Sequence, residues 1–173
     1  MMEKSTNSNK PRGRFLMKRV PFSQAYSRVK HPAKVALAVV KAADNTFNCI
    51  TLEWFMRTSI QPPMFAISIG HTRFSYQCLQ QNRHLNLCFP SADQIALTTL
   101  CGTASGRDTA KLANVPWFKG RLAQYPVLQE AAAIFECAVT TQVRSGDHTI
   151  FVCEVKYAWV HPTFGPITVK QLR

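Results

Sequence analysis

The stretch from Asn48 to Tyr76, NCITLEWFMRTSIQPPMFAISIGHTRFSY, carries the reading of the fold. Its first half is strand-like, with Trp54 partway along, and it runs into Pro62-Pro63. Proline has no N–H for a sheet ladder, so the pair marks a loop or an edge rather than a central strand. Met64 to Ile69 (MFAISI) is the next strand, followed by Gly70-His71-Thr72-Arg73-Phe74-Ser75-Tyr76 at a helix start. Thr72 is the expected N-cap of a helix running to Gln81, with Phe74, Cys78 and Leu79 on one side. Two extended segments, a rigid reversal and a helix start thus gather hydroxyls, one guanidinium and helix N–H groups. That combination suits a flat aromatic ligand carrying a phosphate.

Upstream, Lys34 to Val40 (KVALAVV) is an almost unbroken apolar run, suited to a strand buried on both faces. The turn-rich AADNT follows, where Asp44-Asn45 tolerates positive φ, and Phe47 to Trp54 is the return strand. The segment PFSQAYSRVKHP fits a short helix ending before Pro32. Downstream, His84 to Phe89 (HLNLCF) is a short strand stopped by Pro90, and residues 104–114 read as a turn leading into a short helix. Residues 115–130 read as irregular. Ala133 to Val143 and Thr149 to Val160 are rich in β-branched and aromatic residues and are joined by Arg-Ser-Gly-Asp-His, the pattern of a hairpin with glycine at its corner. Six or more strands that pair through hairpins, with two or three short helices, favour an antiparallel barrel over a doubly wound sheet.

The chain has 173 residues, which fits one domain, and a net charge of +12. Residues 1–19 carry six basic residues against Glu3 and read as a disordered basic arm, leaving residues 20–173 as the folded domain. A basic balance favours anionic partners without choosing among nucleic acid, lipid and a phosphorylated cofactor. The N-terminus lacks the apolar core of a secretory signal, and no apolar run is long enough to span a bilayer. The six cysteines, at 49, 78, 88, 101, 137 and 153, form no CxxC pair, so no metal centre is expected. Four of them fall in strand-like apolar runs and read as reduced, buried thiols, which implies a cytoplasmic setting. Neither GxGxxG nor a P-loop occurs, and no GxSxG elbow or HExxH helix is present.

Four separated motifs, in order, resemble the flavin reductase-like FMN-binding split-barrel family, in its flavoredoxin branch. They are Asn48…Thr51…Trp54, Arg73-Phe74-Ser75, Ser105-Gly106-Arg107-Asp108…Lys111 and Gly146-Asp147-His148 within GDHTIFVCEV. The resemblance implies a mainly β, antiparallel, Greek-key-like split barrel with a few short helices, dimeric, holding FMN non-covalently near the subunit interface. It implies flavin contacts from Asn48, Thr51 and Trp54, with Thr51 acting through its backbone. It also implies a phosphate site at Arg73 and Ser75 beside Tyr76, a flavin contact from Lys111, and a catalytic or substrate-facing His148. Two departures stand out. Ala110 replaces the acid that commonly precedes the lysine, and Cys88 replaces a commonly found Asn, which would put a redox-sensitive thiol at the pocket rim.

The activity so implied is hydride transfer from NAD(P)H to FMN and passage of electrons to free flavin, a ferric complex or a partner protein. An FMN-binding electron carrier or sensor without NAD(P)H turnover is the alternative. A basic nucleic-acid-binding barrel is a third reading, disfavoured because the basic residues concentrate in the arm and the aromatics in the strands.

Overall fold

The computed structural model describes residues 17–29 and 35–172. In chain order these form β1 (Lys18–Val20), α1 (Phe22–Val29), β2 (Ala36–Lys41), β3 (Phe47–Leu52), β4 (Phe55–Ser59), β5 (Met64–Gly70), α2 (Phe74–Gln81), β6 (His84–Pro90), α3 (Ile95–Thr103), β7 (Trp117–Lys119), β8 (Pro126–Leu128), β9 (Ala131–Ser145) and β10 (His148–Val160). Most of the expected arm lies outside the described residues. Its end does not fit the expectation, because Lys18–Val20 pairs with β10 and Met17 is buried, so the fold begins before residue 20.

One antiparallel sheet runs in the order β3-β2-β6-β9-β10-β5-β4, with β1 added on β10. Its two ends, β3 and β4, are consecutive in the chain and separated only by Glu53 and Trp54. The two edges are therefore brought together by two residues yet share no ladder. The result is a barrel split along the β3/β4 seam, the mainly β architecture expected from the hairpin pattern.

Period-2 alternation explains the double burial of the wall. In β2, Ala36, Ala38 and Val40 face the interior cluster, whereas Leu37 and Val39 join a second cluster outside the barrel. Both faces are covered, so KVALAVV is nearly all apolar. The interior holds Phe65, Phe89 and Phe135 in tilted and edge-on contacts at 5.2–6.4 Å between ring centres. Helix α1 closes one end with Phe22 against Phe65 and Phe135. Outside, α3 and the β7–β8 ribbon cover β2, β3 and β6.

The hairpins follow their turn chemistry. Asn45 takes φ 68°, and the Asp44 carboxylate accepts from the Thr46 N–H and hydroxyl. Gly146 takes φ 60° at the β9–β10 corner. Three local expectations fail, the first being that residues 115–130 are irregular, since they hold the paired strands β7 and β8. Residues 104–114 are successive turns, and the helix lies just before them as α3, a segment whose nearly all-round apolar character hides any helical period. The N-cap of α2 is Arg73, not Thr72, and no side chain caps that helix. No helix among the described residues is long and apolar enough to cross a membrane.

Candidate functional site

A cleft opens beside the split seam and is built from three places distant in sequence: strand β3, the start of α2 and the turns after α3. Its inner end is a cavity of about 100 Å³ bounded by Asn48, Ser75, Arg73, Gly106, Cys101 and Lys111, among others. Its outer end, about 210 Å³, is bounded by Trp54, Glu53, Ser68, Gly70 and His148. Ile50, Thr51 and Arg73 line both ends, so the two are continuous.

At the inner end, Asn48 is buried and its Nδ2 donates to the Ser75 hydroxyl oxygen at 2.9 Å. Its Oδ1 is buried with no partner. Reversing the amide would only exchange which atom is orphaned, so either orientation leaves one polar atom of Asn48 unpaired beside the cavity. Such an orphan costs about 1–3 kcal/mol and persists where something else completes it. Gly106 makes room for it, since a Cβ there would lie 2.1 Å from Asn48 Oδ1.

Lys111 is 5% exposed, an uncommon place for an ammonium. Its Nζ donates to the carbonyl of Cys49 at 2.8 Å and to that of Cys101 at 3.3 Å. Cys101 sits in the last turn of α3, whose carbonyls lack helical partners, so the ammonium caps the negative end of that helix. An ammonium has three donors, and these two bonds leave one for the cavity. The orientation comes from two backbone carbonyls, which explains how Lys111 is held although Ala110 replaces an acid.

Arg73, Phe74 and Ser75 bring the uncapped start of α2 to the same cavity. Ser75 is buried and accepts from Asn48, which leaves its own O–H to donate. The Arg107 guanidinium lies 5.4 Å from the centre of the Phe74 ring, adding positive charge nearby. No carboxylate lines this end. Donors and cations dominate, so the inner end suits an anionic, oxygen-rich group.

The outer end is aromatic and open. Trp54 is 62% exposed, and its ring centre lies 4.7 Å from that of His148. His148 pairs through Nδ1 with Asp147 Oδ1 at 2.7 Å, and this bond holds the Asp147 carboxyl below the usual carboxylate range. Gly70 lets the imidazole approach the β5 backbone, because a Cβ there would stand 3.3 Å from His148 Nε2.

Seven of the eight residues singled out in the sequence therefore meet around one cleft. Thr51 does so with its hydroxyl already committed to the Thr98 carbonyl at 2.5 Å, leaving its backbone and methyl. Tyr76 stands apart: its ring packs 4.9 Å from that of His71 and lines a separate open groove with Gln142 and Arg144. Cys88 is not at a rim. It is wholly buried in the barrel wall, where burial pushes its thiol far up. Ile50, Cys101 and Gly102 are among the lining residues that escape sequence reasoning. A Cβ at Gly102 would stand 3.5 Å from Thr51 Cβ, and the nearly all-round apolar sequence of α3 hides its helical period.

The fold has counterparts. The model of the flavin reductase like domain matches residues 27–169. An uncharacterised protein of Archaeoglobus fulgidus is 27% identical over 120 residues, covering 68% of this chain and 66% of that protein, just under two thirds of its length. Among solved structures, flavoredoxin from Methanosarcina acetivorans superposes with a TM-score of 0.71 at 22% identity, covering 81% of this chain and 76% of that one. The NADH:FAD oxidoreductase of Streptomyces globisporus superposes at 0.73 with 23% identity over 88% and 91%. An FMN-binding protein from Thermus thermophilus gives 0.69 with 24% identity over 94% and 82%. With a domain match spanning most of its length and a split-barrel fold, the chain belongs to the flavin reductase-like family.

Proposed function

We propose that the protein is a flavin-dependent oxidoreductase that holds FMN non-covalently in the β3–α2 cleft. One observation carries the reading: Asn48, with a buried, orphaned amide atom that only a glycine at 106 accommodates, lines the same cavity as a buried Lys111 ammonium with one donor unspent. Lys111, Arg73, Ser75 and the start of α2 would bind the phosphorylated side chain, and Asn48 would pair with one of its hydroxyls. The outer end, with Trp54, Thr51 and His148, would take the ring system. Bound flavin supplies the capacity to accept a hydride and pass electrons on. The chain's own work is to bind, orient and shield the cofactor, with His148 offering an N–H beside Trp54.

NAD(P)H is the proposed donor, and free flavin or a partner protein the proposed acceptor. A homodimer is supported by edge strand β4 and the residues flanking it, where Trp54, Met56 and Ile60 are 62%, 63% and 79% exposed. Six free, buried cysteines support a cytoplasmic setting.

The test is anaerobic mixing of FMN-loaded protein with NADH or NADPH. Bleaching of the visible flavin band within seconds is the result expected of a reductase. A band that forms but never bleaches would leave an electron carrier or sensor in its place.

A further inference from the structure

Beneath the cleft lies a pair of thiols that cofactor binding does not use. Cys49 comes from the middle of β3 and Cys101 from the last turn of α3, and both are buried in the outer core cluster. The two thiols are close enough that each is the largest influence on the other's ionisation. Their two carbonyls are tied to one ammonium, that of Lys111, at 2.8 and 3.3 Å, which holds the two backbones together. The two cysteines are not equivalent. Cys101 lines the inner cavity, which admits a water-sized molecule, whereas Cys49 is fully enclosed.

We propose that Cys49 and Cys101 form a peroxide-reactive dithiol that closes reversibly to a disulfide across the β3–α3 contact, with the cleft as its only route of access among the described cavities. The chemistry needs one oxidant, hydrogen peroxide. The Cys101 thiolate attacks one peroxide oxygen, the O–O bond breaks, and hydroxide leaves, giving a sulfenic acid. The Cys49 sulfur then attacks that sulfur; an S–S bond forms, the S–O bond breaks, and the hydroxyl departs as water with the Cys49 proton. Two thiols are oxidised by two electrons in total and one peroxide becomes two waters. A dithiol reductant reverses the change.

The division of labour follows from the surroundings. The neighbouring Cys49 thiol and the Lys111 ammonium together lower the Cys101 thiol, while Cys101 and burial push Cys49 far up. The negative end of α3 opposes a thiolate at Cys101, and the Lys111 ammonium capping that end offsets it. Cys88, in the same cluster, is enclosed in the barrel wall and pushed far up by burial, so it takes no part.

This thiol chemistry stands whether or not the cleft holds flavin; only the protection it predicts rests on the cofactor reading. The experiment treats the full chain, freed of flavin, with a small excess of hydrogen peroxide and maps peptides by mass spectrometry without reduction. The expected result is a chain lighter by two hydrogens, with one cross-linked peptide pair joining Cys49 to Cys101, reversed by dithiothreitol. Cys49→Ala should instead stop at a dimedone-trappable sulfenic acid on Cys101, Cys101→Ala should form neither, and Cys88→Ala should behave as wild type. Excess FMN should slow the closure at least ~10-fold by filling the cavity. A rate indifferent to FMN with the link still formed would support the dithiol and count against the cofactor reading. Absence of the Cys49–Cys101 link in the wild-type chain, or a link through Cys88 instead, would overturn the proposal.

Discussion

The two ends of the cleft achieve their chemistry by opposite means. The inner end is the narrower one, and its polar side chains Asn48, Ser75 and Lys111 are buried and held by bonds that leave few free valences: one amide atom of Asn48, one proton of Lys111 and the hydroxyl proton of Ser75. The outer end is open, with Trp54 mostly exposed and His148 held by an exposed aspartate. A group that must stay bound belongs where desolvation strengthens each contact, and a group that must meet changing partners belongs at the rim. The inner end is therefore built for affinity and the outer end for exchange.

Substitutions can separate the two. The largest effect should come from Gly106→Ala, which drives a methyl into the Asn48 amide. FMN uptake should vanish in an absorbance titration while thermal unfolding reports a loss of about 1–3 kcal/mol. Lys111→Met comes next: it removes the spare donor and strands two carbonyls, so FMN affinity should fall about 10- to 100-fold. A Lys111→Met protein that binds FMN as well as wild type would erase the inner end's assigned role. His148→Ala at the outer end should spare affinity within a few-fold yet lower the rate of flavin reduction by NADH about 10-fold or more. Stopped-flow traces and binding titrations on the same preparation decide it, and a variant that loses affinity and keeps its rate would reverse the assignment of the two ends.

The smallest effect lies away from both ends, at His161. Its ring is buried, and Nδ1 accepts the N–H of Phe164 at 3.1 Å and that of Thr163 at 3.3 Å, so the neutral form is the one that fits. Burial lowers its pKa, with Asp93 opposing. The unfolded chain then binds the extra proton more readily, so this contribution is complete above the unfolded value of about 6.5 and shrinks as pH falls from there toward the lowered folded value. Urea midpoints from pH 7.5 down to 5 should decline, and His161→Gln should flatten that slope.

The barrel was legible because its strands obey period-2 burial and its turns use residues with a local reason to turn. KVALAVV announces a wall covered on both sides, and Gly146 sits where φ is positive. Arg73 and Ser75 were readable from the helix start, whereas Asn48 and Lys111 were reachable only through motif likeness, since nothing in their local sequence says that they converge. What stayed hidden has a common cause. Helix α3 is apolar on nearly all sides, so no period marks it, and with it went Cys101 and Gly102 on the cavity floor. Glu136 is a second case. Buried in β9, its carboxylate accepts from Trp159 and from the backbone N–H groups of Arg121 and Leu122, pinning a loop that reads as irregular. Gly120 is required there, because a Cβ would lie 2.8 Å from that carboxylate.

The most direct measurement is a titration of the flavin-free full chain with FMN, followed by the shift of the visible flavin band and by co-elution on gel filtration. The account predicts saturable uptake of one FMN per chain, abolished in Gly106→Ala. A folded wild-type chain that takes up no FMN from a large excess would contradict it.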